Sequence, residues 1–308
     1  MPFIHKQFSV ETKTPAFLFL IKELGMSHKI AQRMISKGRL LCNGEYVVKD
    51  QFELLGKVEL IDFEAVSRGL KPMFVTKDFA LFDKPSGVLI HPQNRHTPYS
   101  LIDEIKHYFG SDANITHRID QETSGLVLSA NNKASERVLK MKFENRQMRK
   151  RYVALVHGHV SRETFIDEPL LRAQDESALV RMVVKVHETG KLSQTTIVPL
   201  EYFSDLDMTL VEAYPRTGRQ HQIRVHLFHV KHPIVGDPIY GQKEEDVVRF
   251  LDREISHVER RKLSGATRLL LHASQLGFEY QGNQYEIHSN VDFRTVALEA
   301  VQNIGDDL

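Results

Sequence analysis

The polar run His117-Arg118-Ile119-Asp120-Gln121-Glu122-Thr123-Ser124 leads directly into Gly125-Leu126-Val127-Leu128, a short apolar stretch of the kind that forms a buried strand. Loops at strand ends are where catalytic groups concentrate. An aspartate close to an arginine, as Asp120 is to Arg118, is either half of a structural ion pair or a carboxylate kept ionised for use as nucleophile or base. This segment alone supports both readings. A second segment, Pro215-Arg216-Thr217-Gly218-Arg219-Gln220-His221-Gln222-Ile223-Arg224-Val225-His226-Leu227, is dense in donors. It reads as a helix capped by Thr217 and running to about Val230, with Arg219, Gln222 and His226 sharing a face at i, i+3 and i+7 and with Ile223 and Leu227 free to pack on the core. Such a helix start suits a carboxylate or phosphate partner; the alternative is a solvated amphipathic helix.

His221, His226, His229 and His232 lie within twelve residues, and His226 and His229 are spaced as a possible ligand pair. No i, i+4 histidine pair brackets a glutamate and the stretch has no acid, so a metal site is not expected. The single cysteine, Cys42, follows Leu40-Leu41 and precedes the turn Asn43-Gly44, which reads as a buried thiol in a reducing compartment. The longest apolar run near the N-terminus, Phe17 to Ile21, is too short for a membrane span or a signal-peptide core.

The net charge of +1 hides an uneven distribution. Lys140, Lys142, Arg146, Arg149, Lys150 and Arg151 crowd around one acid, Glu144; Arg216, Arg219, Arg224 and Lys231 have none among them; Lys29, Arg33, Lys37, Arg39 and Lys49 face only Glu45. Basic clusters in a neutral chain fit a local polyanion site, although any one alone reads equally as a solvated helix face.

These residues need elements to hold them. Over residues 1–66, an apolar-rich helix from Pro15 to Leu24 ends at Gly25, Ser27 caps a second helix ending at Gly38, and the strands Arg39–Cys42 and Tyr46–Val48 flank an Asn43-Gly44 hairpin. Val58–Asp62 is a further short strand, and Ser67 to Pro72 reads as a linker. Over 73–308, strands are predicted at Phe74–Phe82, Gly125–Ala130, Tyr152–Val156 and Met208–Ala213. Helices follow Ser100 and Asn132, and a hairpin turns at Gly282-Asn283. Few strand–helix–strand units repeat, so the expected fold class is α+β: a mixed, largely antiparallel sheet with flanking helices, preceded by a small α/β module. The acidic end, Asp306-Asp307-Leu308, reads as a disordered tail.

Five segments, in order, carry a resemblance. The phrase around Asp120 resembles the His-Arg-Leu-Asp-x-x-Thr-Ser-Gly-Leu signature of the RluA-type pseudouridine synthases, with Ile119 for the common Leu. Thr217 to Leu227, continued by Pro233-Ile234-Val235-Gly236-Asp237-Pro238-Ile239-Tyr240-Gly241, is similar to that family's second signature. Asp83-Lys84-Pro85-Ser86-Gly87 with His91-Pro92 resembles its Asn-Lys-Pro-x-Gly opening. Lys150-Arg151-Tyr152-Val153-Ala154 resembles its Lys-x-Tyr-x-Ala strand, and Leu269-Leu270-Leu271-His272-Ala273 its late Leu-x-Leu-His-Ala segment. Ser27 to Gly44 resembles an S4-type RNA-binding module, although Thr14-Pro15-Ala16-Phe17 stands where Arg-Leu-Asp is usual.

The resemblance implies an enzyme that cleaves the bond between uracil N1 and ribose C1′, turns the base and rejoins it through C5. Substrate and product are isomers, so no cofactor and no metal is formally needed; the sequence shows neither a phosphate loop nor a dinucleotide fingerprint. By resemblance, Asp120 is the essential carboxylate, acting covalently or by stabilising and deprotonating an intermediate. Tyr152 stacks on the target base and is placed to shuttle a proton, and Arg219 pairs with Asp120. Arg118 contacts the backbone or fills the gap left by a flipped nucleotide. Lys29, Arg33, Lys37 and Arg39 of the first module, with His221 and Arg224, are expected to contact RNA. The partner is RNA, large-subunit ribosomal RNA ahead of tRNA, and the expected enzyme is a cytoplasmic monomer. Two other readings compete. A catalytically idle RNA-binding or assembly factor would need only the basic clusters, but Asp120, Tyr152 and Arg219 are all present. A hydrolase with paired carboxylates would need a defined separation, which Asp120 and Glu122, two apart on a loop, do not supply.

Overall fold

A computed structural model describes residues 2–172 and 183–302; the acidic end, 306–308, lies outside them. The chain opens with a long strand, β1 (Phe3–Pro15), then α1 (Ala16–Lys22), α2 (His28–Ser36), β2 (Leu40–Cys42), β3 (Glu45–Tyr46) and β4 (Glu53–Phe63). The strands form a four-stranded sheet in the order β1-β4-β2-β3, with β1 antiparallel to β4 from Phe3↔Phe63 to Pro15↔Glu53. β1 is absent from the sequence reading because only Val10 of its thirteen residues is buried, so no period-two pattern is written in it. Its partner β4 makes it a strand. Phe19, Leu20, Met34, Ile35, Leu40, Cys42 and Val58 close a separate small core between helices and sheet, and the Cys42 thiol is buried in it. Asn43 and Gly44 turn between β2 and β3 with φ of 52° and 87°, as Asn-Gly hairpins do.

The rest of the chain builds a ten-stranded sheet. Its strands are β5 (Phe74–Val75), β6 (Phe79–Lys84), β7 (Asn114–Ile115), β8 (Ser124–Ala130), β9 (Arg149–His157), β10 (Thr164–Asp167), β13 (Gln194–Phe203), β14 (Met208–Pro215), β15 (Leu271–Tyr280) and β16 (Asn283–His288). β11 (Leu170–Arg172) and β12 (Val184–Val186) pair as a separate ribbon. The helices are α3 (Leu101–Phe109), α4 (Lys133–Glu144), α5 (Gln222–His229), α6 (Glu244–Leu251), α7 (His257–Ser264) and α8 (Phe293–Gln302). The sheet runs β10-β13-β14-β9-β15-β8-β6-β5, with β16 beside β15 and β7 beside β8. Every described pairing in it is antiparallel except β15 with β8. The architecture is therefore α+β, mixed and largely antiparallel, with flanking helices.

Two predicted elements shift. Phe74–Phe82 is a hairpin rather than one strand, because the Thr76 hydroxyl accepts from the amides of Asp78 and Phe79 (3.3 and 3.0 Å) and turns the chain. The late hairpin turns at Gln281-Gly282, one residue before Gly282-Asn283, with both residues left-handed (φ 52° and 80°). β8 is buried throughout because both its faces are covered. Leu126 and Leu128 pack with Phe79, Leu139 and Phe278, while Val127 packs with Phe82, Ile102 and Ile105.

The parallel seam is where the site is assembled. Ala273 of β15 is opposite Tyr152 of β9 on one side and Gly125 of β8 on the other. Gly125 has φ +106°, and a Cβ there would lie 2.4 Å from the Ala273 carbonyl oxygen and 2.5 Å from its nitrogen. A chain of polar groups, buried at Ser124 and His272 and half-buried at Ser289 and Asp83, pins the same seam: His272 bridges the Ser124 and Ser289 hydroxyls at 2.9 and 2.8 Å, and Ser289 donates to Asp83.

Gly125→Ala combines a left-handed backbone with a backbone clash, and is expected to destabilise the protein by about 3 kcal/mol or more, measured as a shift in the urea midpoint. A second expectation concerns pH. Burial pulls the pKa of His117 down to about 3 and those of His221 and His272 down to about 4, from an ordinary 6.5. Below that ordinary value the unfolded chain binds protons that the folded chain refuses, so stability is lost as pH falls. The loss should reach about 4 kcal/mol per pH unit near pH 5 if all three contribute fully. His272→Asn should remove about a third of that slope. Unfolding midpoints that do not change between pH 6.5 and pH 4 would contradict the neutral assignments.

Candidate active site

Asp120 stands in the loop between β7 and β8, and its side chain is 25% exposed at the floor of a cleft of about 650 Å³. The loop is held on several sides. Lys84, fully buried at the end of β6, donates from Nζ to the carbonyls of Pro85, Val88 and Gln121, each at 2.9 Å. All three of its N–H donors are thus used, and burial lowers its pKa to about 7. The Ser86 hydroxyl donates to the Glu122 carbonyl at 2.6 Å, the Gly87 amide donates to the Gln121 carbonyl at 3.0 Å, and Arg260 pairs with the Glu122 carboxylate at 2.7 Å. The Asp83-to-Gly87 motif therefore acts as a clamp on the segment that follows Asp120.

The arginine against Asp120 is Arg224, not Arg219. Arg224 Nη1 donates to Asp120 Oδ2 at 3.3 Å, while Nε and Nη2 form a fork on Asp237 at 2.7 and 2.8 Å. The Arg219 side chain is exposed and donates from Nε to the Leu192 carbonyl at 3.3 Å. The difference lies in the start of α5. Thr217 does not cap a helix; its hydroxyl accepts from the Gln194 amide (3.0 Å) and donates to Gln222 Oε1 (2.6 Å). Gln222 Oε1 also accepts from the Arg219 amide (3.0 Å), and its Nε2 donates to Gln194 O (2.9 Å). His221 is left-handed at φ 54°, and helical geometry begins only at Gln222. Residues 216–221 are thus a knotted turn, the i, i+3, i+7 face does not exist, and Arg224 takes the inward position.

This also changes two expected RNA contacts. Arg224 is 2% exposed and shielded from any phosphate. His221 is 9% exposed, with Nε2 3.9 Å from Asp120 Oδ2 and Nδ1 2.8 Å from the Tyr240 hydroxyl. The Val184 amide also donates to that hydroxyl (3.0 Å). Burial, then Arg224, keeps the His221 ring neutral. Asp237 is buried; burial alone would raise its pKa, but Arg224 and the amides of Tyr240 and Ile239 hold it low. Asp237 and Tyr240 lie within the second signature, but sequence reasoning assigns them no role, because the burial that obliges Asp237 to find a partner is visible only in the fold.

Tyr152 lines the cleft from β9. Burial, then the charge of Asp120, raises its pKa well above the ordinary tyrosine value, so it is a neutral phenol. The His117 ring stacks on Phe143 at 4.3 Å and its Nε2 accepts from the Leu128 amide at 3.0 Å. The rim is cationic: Arg118, Lys140, Arg146, Lys150, Arg216 and Arg219 all line it, and Arg118 is exposed. Lys150 donates to the Thr217 carbonyl at 2.8 Å, and burial lowers its pKa to about 8. In the first module, Lys29 and Arg33 are exposed on α2 and Lys37 just beyond its end, while Arg39 is half-buried over the Phe3 ring at 5.2 Å. His226 is buried, its Nδ1 within 2.9 Å of the Thr195 hydroxyl and its Nε2 3.0 Å from the Glu168 carbonyl.

A cleft that sets Asp120 beside Arg224 and aromatic side chains under a largely cationic rim belongs to a chain whose sequence matches a known family. A family model described as RNA pseudouridylate synthase matches residues 78–229. The chain is 39% identical over 289 residues to an RNA pseudouridine synthase of Helicobacter pylori, covering 94% of each protein. It is 28% identical over 259 residues to ribosomal large subunit pseudouridine synthase D of Escherichia coli, covering 79% of this chain and 78% of that one. Among solved structures, human RNA pseudouridylate synthase domain containing 1 superposes with a TM-score of 0.57 at 26% identity, over 74% of this chain and 86% of that one. No described helix is long and apolar enough to cross a membrane. The chain belongs to the RNA pseudouridine synthase family and is an isomerase acting on RNA uridines.

Proposed function

We propose that Asp120 is the catalytic carboxylate and that the substrate is a uridine in large-subunit ribosomal RNA, modified in the cytoplasm. The observation that carries the first part is the placement of Asp120: of the two carboxylates that line the cleft, Glu144 is exposed, whereas Asp120 is the one beside a buried guanidinium and a neutral imidazole. A uridine within a helix cannot reach that floor, so the nucleotide flips in. Asp120 then supports departure of N1 from C1′, either by bonding covalently or by stabilising the cation left behind. After the base has turned and C5 has joined C1′, the C5 proton leaves to a base and N1 regains one. Arg224 orients Asp120 beside the neutral His221 ring, while Tyr152 supplies a face for the uracil ring and a neutral hydroxyl that can carry a proton. Arg219 acts from the rim, on phosphate rather than on Asp120.

The ribosomal assignment rests on the likeness to the Escherichia coli large-subunit enzyme. The first module, residues 1–66, is proposed as an S4-like RNA-binding domain attached to a catalytic domain over 73–308. Its support is the separate core and the exposed Lys29, Arg33 and Lys37, none of which has a carboxylate partner among the described residues.

Tritium release from RNA labelled at uridine C5 tests this reading. Asp120→Asn should retain fold and RNA affinity while losing at least about a thousandfold in turnover; wild-type turnover would refute the role. Release from unmodified ribosomal RNA but not from tRNA is expected, and the reverse would move the substrate to tRNA. Tyr152→Phe should bind RNA within about threefold of wild type and turn over about tenfold to a hundredfold more slowly. An unchanged rate would leave Tyr152 a stacking role only.

A further inference from the structure

Between β6 and α3 the chain makes a loop, residues 85–100, that starts at the active-site clamp and contains Arg95. The Arg95 side chain points away from the catalytic sheet. Its Nη2 donates to the carbonyls of Lys37 and Gly38 at 3.1 and 2.6 Å, its Nη1 donates to the Tyr46 hydroxyl at 3.3 Å, and its guanidinium lies over the Tyr46 ring at 5.2 Å. Lys37 and Gly38 follow the last turn of α2, so a permanent cation sits at the negative end of that helix. The supposed linker is tied down as well. The Ser67 hydroxyl and Arg68 amide donate to buried Glu104 at the start of α3 (2.7 and 2.6 Å), and Arg68 stacks over Tyr99 at 4.7 Å. The first module is therefore fastened at two points to the wall of the cleft.

This docking brings together cations that the sequence keeps far apart. Arg39 is crowded by Arg33 of its own module and by Arg95 of the catalytic wall. Lys106 of α3 feels Lys133 of α4 and Arg33 of α2, relieved in part by Asp112 and Glu136. His91, on the cleft, feels Arg118, Lys140 and Lys106. Glu136 pairs with both Lys133 and Lys140, at 3.0 and 2.7 Å, leaving that trio net positive. Arg33, Lys37 and Arg118 have no carboxylate partner among the described residues. Like charges held this close are unfavourable unless a polyanion lies over them.

We propose that Arg95 latches the first module onto the cleft so that Lys37, Arg33, Lys106, Lys133, Lys140 and Arg118 form one continuous phosphate-binding track, which holds the RNA flanking the target uridine. The proposal rests on the reading of the cleft as an RNA site and adds where the flanking RNA runs and what orients the module. Arg95 is a positioning residue: it touches neither the base nor Asp120.

The test uses the full-length chain and two labelled RNA hairpins with the same uridine-containing loop, one with a stem of half a helical turn and one with a stem of one and a half turns. At about 0.1 M salt, wild type should bind the long stem about tenfold tighter than the short one. Arg95→Met and the surface double variant Arg33→Gln/Lys37→Gln should each lose that advantage while binding the short stem within about twofold of wild type. In tritium release from unmodified ribosomal RNA, both should raise KM and leave kcat unchanged. The double variant alters only exposed side chains, so it decides the matter if Arg95→Met fails to fold. Equal binding of the two stems by wild type, or a length advantage that survives in the double variant, overturns the track. A length advantage without turnover by wild type on any RNA would sustain the track and instead count against the catalytic reading.

Discussion

Everything at the floor of the cleft depends on how one buried guanidinium divides its donors. Arg224 gives a two-point fork to Asp237 and a single, longer contact to Asp120. Removing an arginine from water costs several kcal/mol, and only a well-formed partner offsets it. Asp237 is that partner, and it is satisfied in turn by the amides of Ile239 and Tyr240. Because the structural carboxylate takes the fork, Asp120 is oriented without being consumed. It keeps lone pairs facing the cleft and a charge that the single cation does not fully neutralise. An arginine committed to Asp120 in the same bidentate way would hold it more firmly and leave it less to react with.

The fold supplies this arrangement through the one parallel pairing among its described strands. β15 lies between β9 and β8, so Tyr152 and the strand that follows Asp120 are brought to either side of Ala273. Parallel strands need long crossovers, and the chain between β8 and β15 contains most of the catalytic body, including α5 with Arg224. Residues more than a hundred positions apart thereby meet, and the seam must be tight for the geometry to hold. That is why a glycine stands at 125 and why the seam carries the polar chain from Ser124 through His272 and Ser289 to Asp83, where an apolar core would tolerate slippage.

What could be read from the sequence follows from how local the determining physics is. β8 announces itself because both faces are apolar, Asn43-Gly44 because the turn needs left-handed residues, and Asp120 because its neighbours form an extended pattern. β1 does not, because its stability comes from pairing with β4 and not from buried side chains of its own. The shared face of Arg219, Gln222 and His226 assumes that a donor-rich segment starts its helix at the first capping residue. The side chain of Gln222 instead gathers the backbone and hydroxyl groups of Thr217, Arg219 and Gln194 into a turn, and that network is a tertiary event invisible to spacing rules. The docking of the first module is equally non-local: Arg95 lies in a loop with no pattern, and two of its partners are backbone carbonyls that any sequence would offer, with Tyr46 the third.

The separation of charge in the cleft explains how such an enzyme can be strict about its reaction and still depend on RNA shape for its choice of uridine. Burial keeps His221 and Tyr152 neutral, so beside Asp120 the cleft offers the base aromatic faces and single hydrogen bonds. Such a floor accepts uracil from any sequence context once the nucleotide is extruded. The cations lie at the rim and on the surface leading to the first module, where they meet phosphates, which carry no sequence. With Asp120 in the proposed catalytic role, discrimination among uridines would come from whether the folded RNA presents its backbone along that surface while a flipped nucleotide reaches Asp120. A rigid attachment of the first module narrows the set of RNA shapes that satisfy both conditions, and a loosely tethered one would widen it.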